Sequence, residues 1–368
     1  MDIILLIFLT PAAIQFIFYG LAVLRFIRYK PYENPLAISD IPVSIVICAH
    51  NELNNLKNLI PKLQKQAYAR YEIIIVDDRS DDGTYEFLQD EKKNSNLLKI
   101  VRIDFVPDHV QPKKFAITLG IKAAANDLVV LTDADCEPVS IHWIRSMASQ
   151  FDEKIKFVIG FSYFNKARGL LNRFVRFETL QTGILYLSAA LGGSPYMGVG
   201  RNLGYRKSFF LSVKGFHNDL KVVGGDDDLL INRYANRKNS RAVVSKDNLV
   251  LSWSKKSWKE YFIQKKRHLS AGKRYKRKDK FTLSLFYLSK IVFWLSAAFL
   301  LIAGVQWPYI VGGLFVVLIM MGSAFMLLCR KTGIKFEYHW LLFLEAMFIF
   351  YLIVFGITVM FSKKIRWN

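Results

Sequence analysis

Hydrophobic positions along this chain fall into two regimes. Apolar stretches at residues 3–24, 281–305, 308–328 and 340–361 occupy its two ends. Each is about as long as the roughly 20 residues a helix needs to cross a bilayer. Between them, short apolar runs alternate with amphipathic segments. Runs at 43–48, 72–76, 98–103 and 128–131 read as strands, and the continuously apolar run at the last predicts a strand buried in a parallel sheet. Segments 54–66, 84–93 and 113–125 predict helices. Strands alternating with helices predict a parallel, doubly wound α/β sheet. Further on, 156–164 reads as one strand and 170–191 as an amphipathic helix. The predicted organisation is an N-terminal anchor (1–30), an α/β domain (31–250), a basic interface segment (251–280) and three C-terminal membrane helices (281–368).

Charge refines this picture. Of 368 residues, 52% are hydrophobic, yet the net charge is +21. The first apolar stretch follows Met1-Asp2 and is trailed by Arg25, Arg28 and Lys30, the reverse of a cleaved signal peptide. Positive residues mark the cytoplasmic side. The chain is therefore predicted to be a multi-pass protein of the plasma (inner) membrane, with residues 31–280 in the cytoplasm. The basic loop 330–335 fits that topology, whereas Lys363, Lys364 and Arg366 fall on the opposite side. Residues 255–280 hold twelve Lys or Arg against two acids, interleaved with Trp258, Tyr261, Phe262 and Tyr275. Directly before a spanning helix, that pattern suits membrane lipids rather than nucleic acid. Lys290 and Glu345, inside predicted spans, read as structural or interfacial, with Lys290 snorkelling to the surface.

Several chemistries are excluded. No Gly-x-Gly-x-x-Gly follows the first strand and no phosphate-loop Gly-Lys-Ser/Thr occurs. Cys48, Cys136 and Cys329 have neither metal nor disulfide spacing. What remains is carboxylate chemistry at strand ends. Asp133 and Asp135 close one strand, Ala49-His50-Asn51-Glu52 another, and Asp77-Asp78 a third. Gly224-Gly225-Asp226-Asp227-Asp228 opens a helix. Successive parallel strands end on one edge, where open α/β sheets bind ligands. Two carboxylates one residue apart call for a divalent cation that also meets a phosphate. Lys113 adds positive charge for a diphosphate. The Asp run also suits a plain helix N-terminus.

As a set, 43–52, 76–84, 132–135, Gly225-Asp226-Asp227 and Gln264-Lys265-Lys266-Arg267 resemble family 2 inverting glycosyltransferases, in particular the membrane-embedded branch. That branch includes cellulose, chitin, hyaluronan and poly-N-acetylglucosamine synthases and ceramide glucosyltransferases. The resemblance implies a Rossmann-like GT-A fold plus transmembrane helices, a nucleotide-sugar donor, most often UDP-linked, and Mg²⁺ or Mn²⁺. It implies Asp227 as general base and Asp135 as metal ligand. Donor binding would fall to Ala49, Glu52, Asp78, Lys113, Asp133, Gln264 and Arg267. Acceptor binding would fall to Asn202 and Tyr205 in the segment 200–206, with Asp226 and His268. A single displacement needs one base and no carboxylate nucleophile.

His268 stands where related synthases carry Trp, which points toward limited transfer onto a lipid-linked or glycan acceptor. A processive polysaccharide synthase is the alternative, and four spans would then need an oligomer or an export partner. A transporter with a cytoplasmic regulatory domain is the non-enzyme alternative. The absence of paired Gly/Pro-broken helices weighs against it.

Overall fold

The computed structural model describes residues 3–32, 41–304 and 306–361. Val305 and the basic tail at Lys363, Lys364 and Arg366 lie outside the described residues. The chain begins with helix α1 (Ile3–Arg28). Strand and helix then alternate as the pattern predicts: β1 (Val43–Ala49), α2 (Leu53–Gln64), β2 (Tyr71–Asp78), α3 (Thr84–Asn94), β3 (Leu98–Ile103), α4 (Pro112–Ala123) and β4 (Leu128–Leu131). Next come β5 (Cys136–Pro138), α5 (Trp143–Ala148), β6 (Phe157–Ile159), β7 (Ser162–Phe164), α6 (Leu170–Leu191), β8 (Leu203–Arg206) and α7 (Lys207–Ser212). The chain closes with α8 (Asp228–Tyr234), β9 (Ser240–Ala242), β10 (Val250–Ser252), α9 (Trp258–Gly272), α10 (Arg277–Ile302), α11 (Trp307–Thr332) and α12 (Leu341–Phe361).

The main sheet has the order β3-β2-β1-β4-β8-β6-β9. Its first four strands are parallel, as expected. Beyond β4 the sheet is mixed, because β8 runs antiparallel to both β4 and β6. Strand side chains alternate between two apolar cores. Ile45, Ile47, Ile73, Ile75 and Val130 join the layer of α2 and α5. Val46, Ile74, Val76 and Val129 join a second core shared with α4, α6 and the long C-terminal helices.

The single strand expected at 156–164 is two strands in two sheets. β6 stays in the main sheet, while β7 joins β10 and β5 in a small one. The break falls at Gly160, where a Cβ would lie 2.5 Å from the Asn202 amide. Helix α6 is also not amphipathic as expected. It is buried on nearly every side, including Arg176, Glu178 and Gln181. One face meets β7 and β9, and the rest meets α1, α11 and α12.

Among the described residues, three helices are long and apolar enough to cross a membrane: Leu5–Arg28, Arg277–Ile302 and Trp307–Thr332. The fourth predicted span is helical, but its apolar portion with described side chains, Tyr338–Val354, is shorter. Lys331 Nζ donates to Tyr29 O at 3.3 Å, so the basic ends of α1 and α11 lie together. Lys290 does not snorkel. It is ion-paired with Glu345, each side chain 1% exposed. Tyr19, Gln181 and Trp294 complete that polar knot through Lys290 Nζ, Glu345 Oε2 and Glu345 Oε1 respectively.

Candidate active site

The parallel strands deliver their carboxyl ends to one edge of the sheet. β8 starts at that same edge, since Leu203 stands opposite Leu131. Four segments therefore meet there: the loops after β1, β2 and β4, and residues 200–202 before β8.

The first two loops are latched together. His50 Nδ1 meets Asp78 O at 2.6 Å. Asn51 takes φ 57°, and its N–H donates to Ser80 Oγ at 3.0 Å. Thr84 Oγ1 accepts from Glu52 N, and Asp82 Oδ2 from Leu53 N. Ala49 and Asp78 are buried, 2% and 7% exposed, and Asp78 accepts from Arg79 Nε at 2.8 Å. Burial first, then the charges of Asp135 and Asp133, push the Glu52 carboxyl above its ordinary value despite an Asn55 hydrogen bond.

Lys113, in the first turn of α4, joins the two acidic clusters. Its Nζ lies 3.0 Å from Asp133 Oδ1 and 3.5 Å from Asp226 Oδ2. Burial disfavours its charge, but Asp133, Asp226 and Asp227 outweigh that and hold its pKa well above the lysine value. Asp133, Asp135 and Cys136 bring their ligand atoms within 4.8 Å of one another. Burial and the Asp133 charge raise the Asp135 carboxyl, with Arg201 opposing. Two crowded carboxylates are hard oxygen donors that suit Mg²⁺ or Mn²⁺. Burial and then Asp135 and Asp133 drive the Cys136 thiol well above its ordinary value, and its soft sulfur suits such cations less well than oxygen donors do.

The Asp run sits opposite. Gly224 and Gly225 take φ 73° and 68°, which favour glycine. Helix α9 packs on them: a Cβ on Gly224 would lie 3.4 Å from Arg267 O, and one on Gly225 2.9 Å from Ala271 Cβ. That contact brings Arg267 beside the run, with Gln264 one turn earlier on α9. His268 follows on the same helix; its side chain lies outside the described residues. Asp227 Oδ2 accepts from Gly200 N at 2.6 Å, whereas its Oδ1 is buried with no hydrogen-bond partner among the described residues. Burial, then Asp226, and more weakly Asp133 and Asp228, raise its pKa well above the carboxylate range. Asp226 moves the other way: burial raises it, but Lys113 and local hydrogen bonds prevail. Asp228 is pushed up to about 7 by burial, although Tyr275 hydrogen-bonds to it.

The structure thus brings Asp133, Asp135, Lys113, Asp226 and Asp227 together, with Glu52 alongside. Two side chains expected on the acceptor side lie enclosed. Asn202 is 0% exposed; it accepts from Trp143 Nε1 at 3.0 Å and donates to Phe161 O at 2.8 Å and Asn248 O at 2.6 Å. Tyr205 is 1% exposed and stacks on Phe210 at 5.6 Å. Both side chains are held by protein partners in this structure.

Two contributors escape a sequence reading. Lys114, 1% exposed, donates to Asp219 O, Val222 O and Gly224 O at 2.9, 2.7 and 2.8 Å. It fixes the loop that leads into the Asp run. Arg201, 4.5 Å above the Phe164 ring, puts positive charge near Asp135. Adjacent lysines at 113 and 114 are the signal for the first, but only helix phase tells which one turns inward.

Comparison with known proteins agrees with this geometry. A mannosyltransferase from Pyrobaculum calidifontis, solved in complex with GDP-Man and Mn²⁺, has the same fold: TM-score 0.63 over 98% of this chain and 99% of that one, at 18% identity. The fold is that of the GT-A glycosyltransferases. Residues 44–212, a little under half of the chain, match the model of Glycosyl transferase family 2. It is 27% identical over 237 residues to the probable glycosyltransferase YdaM of Bacillus subtilis (strain 168), covering 61% of this chain and 54% of that protein. It is 30% identical over 115 residues to the poly-beta-1,6-N-acetyl-D-glucosamine synthase of Staphylococcus epidermidis, covering 30% of this chain and 27% of that protein. The chain therefore spans about half the first relative's length and about a quarter of the second's.

Proposed function

We propose that this chain is an integral-membrane enzyme that moves one sugar from a nucleoside-diphosphate sugar to a hydroxyl of a lipid-linked or glycan acceptor, with inversion. The observation that carries this reading is the position of Asp227. It sits in one cluster with Lys113 and the Asp133/Asp135 pair, anchored through one oxygen while the other has no hydrogen-bond partner among the described residues.

In this reading Asp227 takes the acceptor hydroxyl's proton as the hydroxyl oxygen forms the new bond to the anomeric carbon. The bond from that carbon to the diphosphate oxygen breaks, and the diphosphate leaves with the electron pair. Burial and neighbouring carboxylates raise the proton affinity of Asp227, which suits a general base. Lys113, Gln264 and Arg267 bind the diphosphate and stabilise its growing charge. Ala49, Glu52 and Asp78 line the nucleoside side, and Asp226 orients the acceptor. Held by Asp133 and Asp135, a divalent cation would supply neutralisation of the leaving diphosphate.

Membrane insertion is supported by the three long apolar helices and by the clustered basic ends of α1 and α11. That cluster favours a cytoplasmic catalytic domain. The test is a screen of UDP, GDP, CDP and dTDP sugars against membrane lipid extract, with product length read by mass spectrometry. Asp227→Asn is expected to lose transfer while still binding nucleotide with Mn²⁺. Persistent turnover would remove Asp227 from the role of base.

A further inference from the structure

A cavity of about 350 Å³ opens between α1, α6 and α10, away from the carboxylate cluster. Its walls are mostly apolar, with Phe18, Ala22, Ile184 and Phe286 among them. Two cations and one acid also line it: Arg25, Lys278 and Asp279. Arg25 is held in place, donating through Nη1 to Ser188 O at 3.1 Å and Ser188 Oγ at 3.2 Å. The backbone leaves room for it at Gly192, where a Cβ would lie 2.4 Å from the guanidinium carbon. Asp279 is engaged elsewhere, accepting from Asn232 Nδ2 at 2.9 Å. Lys278 is exposed in the first turn of α10. An apolar crevice between membrane-length helices, with surplus positive charge where they leave the apolar zone, matches an amphiphile with an anionic head.

We propose that this cavity binds one anionic phospholipid, its acyl chain between α1, α6 and α10 and its phosphate at Arg25 and Lys278. The site rests on the membrane reading above but not on the choice of donor, acceptor or base. It also touches the enzyme's chemistry. Tyr196 forms part of the wall, and its ring lies 6.2 Å from that of Tyr275. Tyr275 OH donates to Asp228 Oδ2 at 2.8 Å. Asn232, on α8, donates to Tyr196 O at 3.0 Å as well as to Asp279. A lipid in the cavity thus braces the helix that follows Asp227.

The test uses the full chain purified in neutral detergent, with phosphatidylglycerol and phosphatidylcholine as probes and native mass spectrometry as readout. The wild type is expected to retain one phosphatidylglycerol in preference to phosphatidylcholine by about tenfold. Lys278→Glu is expected to bring that ratio close to one, and Ala22→Phe to abolish retention by filling the crevice. Equal retention of both lipids by the wild type overturns the proposal, as does a Lys278→Glu protein with an unchanged ratio. So does wild-type retention by an Ala22→Phe protein with an unchanged melting temperature. Should Ala22→Phe not fold, the exposed Lys278 position alone decides. Alkaline extraction of membranes tests insertion separately: a chain that stays in the pellet but shows no lipid preference sinks the site and spares the membrane reading.

Discussion

The amide of Gly200 holds one oxygen of Asp227 at 2.6 Å, and nothing larger than glycine fits there. A Cβ at position 200 would lie 2.3 Å from Asp227 Oδ1 and 2.7 Å from its Cγ. The restraint is therefore steric as well as polar. Gly200→Ala is expected to displace the carboxylate and lower kcat by about 10²-fold, the scale on which misplaced catalytic groups act. Nucleotide affinity, measured by calorimetry with Mn²⁺, is expected to stay within about twofold of wild type because the substitution leaves the donor side untouched.

Lys114 gathers three backbone carbonyls of the loop before Gly225. Lys114→Met keeps much of the volume and removes the donor. Each buried carbonyl left unpaired costs about 1–3 kcal/mol. The expected result is a lower melting temperature together with reduced kcat, since the same loop places Asp226 and Asp227.

Asp228 links stability to pH. Its folded-state pKa of about 7 lies above the ordinary carboxylate value of 3.8. A raised carboxyl contributes stability fully below the unfolded pKa and loses it as pH rises through the folded pKa. Melting temperatures of the wild type should therefore fall between about pH 4 and pH 7 relative to Asp228→Asn, whose amide does not titrate. The gap should be widest above pH 7. A constant gap across pH 4 to 8 would show that Asp228 titrates normally.

The ion pair between Lys290 and Glu345 ties α10 to α12 within the helical bundle. Removing one partner leaves an uncompensated buried charge, at a cost of about 3–5 kcal/mol. Lys290→Met and Glu345→Leu alone are each expected to destabilise by that amount in thermal melts. The double variant should cost less than the sum of the two.

Much of the catalytic half was legible in sequence. The strands form where β-branched runs fall, and parallel topology alone sends Asp78, Asp133 and Asp135 to one edge. The illegible parts depend on distant partners. Position 160 breaks a strand only because the Asn202 side chain fills its space. Asn202 and Tyr205 sit in a polar-looking segment, yet Trp143, Asn248 and Phe210 enclose them. Lys290 reads as a snorkelling residue until α12 supplies Glu345. Helix α6 misleads in the same way, because its polar positions face other helices rather than water.

That burial of α6 has a practical consequence. Phe177 stacks on Phe325 of α11 at 5.5 Å, and Gln181 bonds Glu345 of α12. Trimming the hydrophobic ends to obtain a water-soluble fragment would strip a greasy flank bare, and such a fragment should precipitate. Biochemistry on this enzyme calls for a polypeptide that keeps α1, α11 and α12 packed on α6.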